Sequence, residues 1–364
     1  MKMPLLSAEH LRNIGISILA AMGAPRESAE TVADMLVNAN LTGHDSHGIV
    51  YLIRYADRIK RGIIDPKAKP KVVKETATTA LVDGHWTFGQ VTAKKTMEIA
   101  IEKARRNHIS AVGAFNCNHI CRLGGYTMMA AEQDMIGFLF ANVVHPNVQP
   151  YGGDAGAFGT NPLSIAIPAG DMRPFLLDFA TSAVAEGRVT LAAIKGEKIP
   201  LGWIVDKDGN PTDNPDDLYP PGAVRKEDCG RLLTIGAQGP GQGHKGYCLS
   251  ILMDILGGVL TGSGSVLDEI RYDSQNGILA VVMNIDGFIP LSVFKKKMDS
   301  LFKGVHGIPV ADGFQYDHVL VPGEPEWKMQ EKRFRAGIEV AEPAWQEIIE
   351  LAKELGLDLK DLGG

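Results

Sequence analysis

Gly241-Gln242-Gly243-His244-Lys245-Gly246 matches the pattern G-x-G-x-x-G and opens a helix. How this string is read decides the fold. A dinucleotide-binding doubly wound sheet needs its first glycine directly after a strand, inside an N-terminal βαβ unit, with an acidic residue about 20 positions on. Here the preceding strand, Leu232-Leu233-Thr234-Ile235, ends several residues early, and Pro240 lies inside the loop. The match is therefore read as non-Rossmann. A weaker inference survives. A flexible backbone, a lysine and a helix N-terminus together make an anion site.

Downstream, Tyr247 to Leu260 is nearly all apolar and predicts a helix buried on most sides. A strand over Gly277–Ile285, a helix over Leu291–Val305, a strand over His318–Val321 and two polar helices, Glu326–Ala336 and Pro343–Leu355, complete the chain. Upstream, Ser7 is placed to cap a helix to Met22, and a second helix covers Glu27–Asn40. A third follows His44. Beyond the charged connector Asp65–Lys71, strands at 72–76 and 79–83, a helix over Val91–Asn107, and strands at Ile109–Ala114 and Ile136–Ala141 alternate. Strands Leu163–Ile167 and Phe175–Ala180 come next. Thr181-Ser182 is placed to cap a helix to Lys195, and 199–229 reads as a long structured loop with a hairpin at Asp208-Gly209. The pattern is α/β. It divides into a helical lobe (1–70 with 326–364), an α/β lobe (71–145 with 277–325) and a central lobe (146–276).

The 364 residues are 45% hydrophobic and 22% charged, ordinary globular composition. A formal net charge of −6 argues against a general nucleic-acid binder. No stretch is long and apolar enough to cross a bilayer, and the first residues do not read as a signal peptide. Four cysteines in so long a chain form no disulfide framework, so a reducing cytoplasm is the expected setting.

The densest chemistry is His44-Asp45-Ser46-His47-Gly48-Ile49. Asp45 or Ser46 is placed to cap the following helix, with His47 in its first turn. Peptide dipoles there keep an imidazole neutral, while Asp45 pulls the other way. Ile49, Ile53, Ala56 and Ile59 form the inward stripe, with Arg54, Asp57, Arg58 and Lys60 outward. His119, after the strand from Ile109, is a second acid/base candidate. Cys117-x-x-x-Cys121 has no second ligand pair, so no metal site is expected. Ser46 beside His47 lacks a nucleophile elbow, which disfavours a hydrolase. Asp178-Phe179-Ala180-Thr181-Ser182 ends a strand and offers a carboxylate at a crevice.

In order along the chain, His44-Asp45-Ser46-His47-Gly48-Ile49, Phe88-Gly89-Gln90, Asn118-His119-Ile120 with Arg122, Phe158-Gly159-Thr160-Asn161-Pro162, Leu177-Asp178-Phe179-Ala180-Thr181-Ser182, His244-Lys245-Gly246-Tyr247 and Pro322-Gly323-Glu324 resemble one family. It is the malate/L-lactate dehydrogenase family that lacks a Rossmann fold. Ureidoglycolate and sulfolactate dehydrogenases, diketogulonate reductases and piperideine-carboxylate reductases belong to it, and this chain looks most like its hydroxycarboxylate dehydrogenases. The resemblance implies a family-specific mixed sheet with a helical N-terminal/C-terminal lobe, a homodimer with sites near the subunit interface, and NAD-linked interconversion of 2-hydroxy and 2-keto acids, with NADP left open. An imine or keto reductase of piperideine-carboxylate type and a non-catalytic ligand-binding protein are the alternatives.

By the same resemblance, His47 is the acid/base with Ser46 beside it, and some members use the residue matching His119. The cofactor contacts implied are Arg122, Asp178, Phe179, Ala180, Thr181, Ser182, His244, Lys245, Asn276, Gly323 and Glu324. Two departures stand out. Many members carry Arg four residues after this histidine, where this chain has Tyr51, so carboxylate recognition is expected elsewhere and a bulkier or less charged acid than malate is expected. Cys117 and Cys121 replace small residues around His119, which suggests sensitivity to oxidation.

Overall fold

The computed structural model describes residues 4–358 apart from Val224, Pro240 and Ile270. Met1–Met3, Pro240 of the glycine-rich loop and the last six residues of the expected helical lobe lie outside that range. Ser7 starts the first helix, α1 (Ala8–Ala21), by accepting the His10 amide on its side chain. Leu11, Ile14, Ile18 and Leu19 recur at helical spacing and are buried against α2 (Arg26–Leu41). Burial of each such side chain contributes about 1.5–3 kcal/mol. The same core takes in α3 (Tyr51–Lys60) and, from the far end of the chain, Ile348, Leu351 and Ala352 of α10 (Glu342–Glu354). Strand β1 (Leu5–Leu6) pairs antiparallel with β12 (Ile338–Glu339) beside it.

The main sheet has seven strands: β2 (Lys71–Glu75), β3 (Thr79–Asp83), β4 (Ile109–Cys117), β11 (Asn276–Asn284), β5 (Met135–Val143), β6 (Leu163–Ile167) and β7 (Phe175–Phe179), in that spatial order. Every neighbouring pair is antiparallel except β3–β4, which helix α4 (Gly89–Asn107) connects. One parallel crossover among six pairings is not a doubly wound sheet, so the mixed non-Rossmann reading holds. On one face Val112, Ala114, Leu139 and Ala141 pack with α4 and α5 (Gly124–Ala131). On the other, Gly113 and Asn142, of opposite parity, meet Thr261 and Gly258 beyond α7 (His244–Met253). A smaller sheet orders β10 (Arg231–Leu232), β8 (Ile204–Val205) and β9 (Pro211–Thr212), the hairpin lying around Asp208-Gly209. Helices α6 (Glu186–Lys195), α8 (Leu291–His306) and α9 (Glu324–Ala336) complete the architecture.

Several local expectations change. Asp45–His47 is a separate 3₁₀ turn, and α3 begins only at Tyr51, without a side-chain cap. Asp45 cannot cap because its carboxylate is held by Arg333 and Asn40. The deepest residues of α3 are Leu52, Tyr55 and Ala56, so the buried stripe is rotated from the one centred on Ile53 and Ile59. Thr181 and Ser182 do not cap α6, which starts at Glu186; their hydroxyls donate instead to loop carbonyls of Thr160, Asn161 and Val184. His318–Val321 pairs with no strand, because the Val321 amide donates to Glu324 Oε2 at 2.9 Å. The predicted strand at Leu232–Ile235 shrinks to β10 and an isolated bridge, Ser182 to Thr234. The apolar helix is not buried all round: α7 passes into a π-helical turn, Asp254–Val259, and Leu252, Ile255, Val259 and Leu260 are 42–63% exposed.

Candidate active site

The His47 turn is fixed from both sides. Asn40, buried in α2, accepts the Ile49 amide at 2.8 Å and donates to Asp45 Oδ1 at 2.7 Å. Gly48 leaves room for that side chain, since a Cβ at 48 would lie 2.3 Å from its amide atoms. Arg333 of α9 grips Asp45 with two bonds, at 2.6 and 2.8 Å, and also donates to the Asn40 carbonyl. Ser46 Oγ lies 3.0 Å from His47 Nδ1, and the Cys121 thiol donates to the His47 carbonyl. With a hydroxyl on Nδ1, Nε2 is the ring nitrogen that this contact leaves open.

His119 arrives on the loop after β4 and stands beside it. Asn118 pins that loop by donating to the carbonyls of Ile63, Trp86 and Thr87, and by accepting from Ser274. Gly89, in the Phe-Gly-Gln motif, allows α4 to start against this backbone; a Cβ there would sit 2.3 Å from the His119 carbonyl oxygen. The next residue, Gln90, is buried and donates to the Tyr55 hydroxyl at 2.5 Å, and that hydroxyl lies 3.0 Å from His119 Nδ1. Tyr51 stacks face to face on His119, with ring centres 4.4 Å apart and planes 5° off parallel. His47 is 5.9 Å from Tyr51 and 5.7 Å from His119. Two imidazoles and two phenols thus share one wall, with each Nδ1 against a hydroxyl.

Burial is the main cause that lowers the His47 pKa to about 4, helped by His44 and the guanidinium groups of Arg54 and Arg122. Burial also holds His119 well below the usual imidazole range, with His47, Arg58 and Arg54 adding to it. Both rings are neutral near pH 7, and each still keeps an edge toward solvent. The cause is desolvation and positive neighbours rather than a helix terminus. Burial likewise pushes the Cys117 and Cys121 thiols up to about 12, which keeps both protonated near pH 7.

Sequence reading missed Tyr55, Gln90, Arg54 and Arg58. The spacing 51, 54, 55, 58 was the available signal, because i, i+3, i+4 and i+7 share one helix face. Arg54 lies 5.1 Å from the centre of the Tyr51 ring. Arg58 is half-buried, and its Nη1 is buried without a hydrogen-bond partner. Asn40 and Arg333 were missed as well: Arg333 stands 288 residues from the turn it holds, and Asn40, five residues before Asp45, reads as one more polar residue of α2.

A second group of residues forms a ledge. Arg122 Nε is 3.1 Å from Asp178 Oδ2, which also accepts the Gly124 amide at 2.7 Å. Burial raises the Asp178 pKa, and the Arg122 guanidinium opposes that shift. Arg122 Nη1 donates to Asn38, while Nη2 is buried without a partner. A cavity of about 250 Å³ borders Arg122 and Gly124, lined also by Asn38, Gly125, Trp327 and Gln330. Ile235 ties the ledge to the start of α7: its amide donates to the Thr181 carbonyl, and the adjacent Thr234 hydroxyl donates to the Gly243 carbonyl. There His244 and Lys245 stand exposed at a helix start with no side-chain cap. On the ledge itself, Phe179 is exposed and Ala180 half-exposed, directly after Asp178 in sequence.

Asn276 and Glu324 sit differently. The Asn276 side chain is spent on backbone, accepting from Ile120 and donating to Asn142 and Gln275. Gly323 packs against Leu176 at the opposite end of β7 from Ser182, and Glu324 turns toward His306 and His318.

The half-buried imidazole pair and the Arg122–Asp178 ledge stand on a non-Rossmann mixed sheet of α/β class. Residues 6–349 match the family model described as malate/L-lactate dehydrogenase, and the chain belongs to that family. It is 36% identical to the malate dehydrogenase of Pyrococcus horikoshii over 94% of this chain and 93% of that one. It is also 36% identical to the L-sulfolactate dehydrogenase of Methanocaldococcus jannaschii, over 98% and 99%. The crystal structure of malate dehydrogenase from Entamoeba histolytica superposes with a TM-score of 0.91 at 29% identity, covering 98% of this chain and 99% of that one. The protein is thus an oxidoreductase of the malate, lactate and sulfolactate dehydrogenase family.

Proposed function

We propose that the protein interconverts a 2-hydroxy acid and its 2-keto acid with NAD or NADP, and that His47 is the acid/base. The observation that carries this reading is the paired wall: His47 and His119 are both neutral, and each has its Nδ1 set by a hydroxyl. In the oxidising direction His47 Nε2 takes the hydroxyl proton. In the reducing direction it returns that proton to the forming alkoxide. Ser46 orients the ring, and Tyr51, stacked on His119, closes one side of the pocket. The nicotinamide cofactor supplies the hydride acceptor or donor when bound.

The residues present fit that cofactor. The start of α7, with uncapped amides and Lys245, suits a pyrophosphate. The unpartnered Arg122 Nη2 beside Asp178 suits a further polar group of the nucleotide. Phe179, Ala180, Thr181, Ser182 and His244 line the path between them in this reading, and Asn276 acts by holding the backbone next to His119.

For the substrate carboxylate we assign Arg58, assisted by Arg54. Its buried, unpartnered Nη1 on the Tyr51 face replaces the arginine that many relatives carry at that tyrosine's position. With Tyr51 filling that position, a bulkier or less charged acid than malate is the expected substrate. The exposed apolar strip Leu252, Ile255, Val259 and Leu260 is the surface we assign to the homodimer that the family resemblance implies. All four cysteines are free, and no described helix is long and apolar enough to cross a membrane.

The test is a panel of 2-hydroxy and 2-keto acids with NAD(H) and NADP(H), alongside NADH fluorescence titration. Turnover of a bulky 2-hydroxy acid supports the reading. Preference for malate by a wide margin sinks the substrate assignment, and binding of NADH without turnover of any acid points to a ligand-binding protein. Loss of activity in His119→Ala but not in His47→Ala moves the acid/base.

A further inference from the structure

Away from the wall and the ledge, one cluster among the described residues brings three ligand-type side chains together. His306 ends α8, His318 lies in the connection that follows, and Glu324 is the first residue of α9. Their donor atoms all lie within 4.8 Å of one another. His306 Nε2 is 2.9 Å from Glu324 Oε1, and His318 Nε2 is 3.5 Å from Glu324 Oε2. Neither nitrogen makes a hydrogen bond in this arrangement, although both atoms are buried. Buried ring nitrogens without hydrogen-bond partners call for an explanation, and an ion is one of the few available.

The geometry points to a divalent-metal site made by His306 Nε2, His318 Nε2 and the Glu324 carboxylate. Tetrahedral zinc with bonds of about 2.0–2.1 Å places its ligand atoms about 3.3 Å apart. The separations of 2.9 Å from His306 Nε2 to Oε1 and 3.5 Å from His318 Nε2 to Oε2 are of that size, one to each oxygen of the carboxylate. The outer contacts fit as well. Asp317 Oδ1 lies 2.7 Å from His318 Nδ1, the carboxylate-to-histidine contact that turns Nε2 into the free lone pair. The Val321 amide donates to Glu324 Oε2 and sets the carboxylate. Two imidazoles and one carboxylate select zinc or a neighbouring borderline ion over magnesium or calcium, which take oxygen ligands. Water completes a fourth position. The ion would clip the 307–323 connection onto the start of α9, the helix whose Arg333 holds the His47 turn.

Sequence spacing gave no hint of this site, because the three residues do not follow a short ligand motif. The metal inference does not rest on the proposed reaction, and its test reads metal rather than turnover. Protein made without a polyhistidine tag is stripped with EDTA, then titrated with ZnCl₂ by calorimetry and analysed for bound metal after dialysis. One equivalent per chain with micromolar or tighter affinity is expected, together with visible absorption when cobalt(II) is substituted. The double variant His306→Ala/His318→Ala should lose the equivalent while NADH titration and circular dichroism show a folded chain. Asp317→Asn should weaken zinc by about 10–100-fold, as loss of an outer contact to a ligating histidine does. Absence of stoichiometric uptake by the parent protein overturns the site. So does undiminished uptake by the folded double variant, or by Asp317→Asn together with His318→Gln.

Discussion

The histidine wall and the α7 lip are built in opposite ways. On the wall each acid/base group is held by side chains from several elements: Ser46 and Asn40 around His47, Tyr55, Gln90 and Tyr51 around His119. On the lip His244 and Lys245 stand exposed on a helix start, tied down mainly through backbone, by Thr234 and Ile235. Under the proposed reaction the difference follows from what each end would handle. Proton transfer needs a fixed heavy-atom distance and a tuned pKa, which only packed neighbours provide. A phosphate-bearing ligand that must come and go is served by charge and amides open to water.

That contrast can be broken experimentally. The largest effect is expected from His47→Ala, about 10²–10⁴-fold in kcat with cofactor affinity nearly unchanged; a pure cofactor KM effect would put His47 on the wrong side of the comparison. Lys245→Ala should do the reverse, raising the cofactor KM by about 10–100-fold through loss of a charge-assisted hydrogen bond, with kcat less affected. Arg58→Ala should raise the KM of the hydroxy acid over a comparable range and leave NADH titration unaltered. Smaller still is Tyr55→Phe, which removes one hydroxyl from His119 and should lower kcat about 2–10-fold in steady-state assays.

The wall should also show itself in stability against pH. An unfolded imidazole takes its proton near pH 6.5, whereas folded His47 resists until about 4 and His119 also stays neutral well below the usual range. Across that window the unfolded chain binds more protons, so stability falls as pH drops below about 6.5 and is fully recovered above it. The slope is at most about 1.4 kcal/mol per pH unit for each histidine. Urea titrations between pH 4.5 and 7 measure it, and His47→Asn should flatten it. An unchanged slope in that variant would mean the ring is solvated in solution.

Much of this was legible in the chain. Apolar periodicity marked nearly every helix and the sheet strands, and the misplaced dinucleotide pattern at Gly241–Gly246 argued against the doubly wound fold, with the mixed sheet supplied by the family resemblance. His47 and His119 stood out as candidates in short polar strings, whereas Arg122 entered only through the family resemblance. What stayed hidden depends on partners far away in sequence. Asp45 reads as a cap until Arg333, 288 residues on, takes its carboxylate. Arg58 reads as solvated until the rotation of α3 by Leu52 and Tyr55 turns it inward. The exposed strip on α7 is beyond reach too, since apolar composition tells that a surface must be covered but not by what.

The pairing of β1 with β12 has a consequence for how the protein is made. Leu5 and Leu6 wait for Ile338 and Glu339, and the core around Leu11 and Ile14 is finished by Ile348 and Leu351. During synthesis the first three helices therefore leave the ribosome without the strand and helix that seal them, and the His47 turn lacks Arg333. Loop closure over some 330 residues makes this the slow part of folding. A nascent chain halted before α9 would carry both histidines yet lack the Arg333 grip on Asp45, so the His47 turn is completed only with the closing segments.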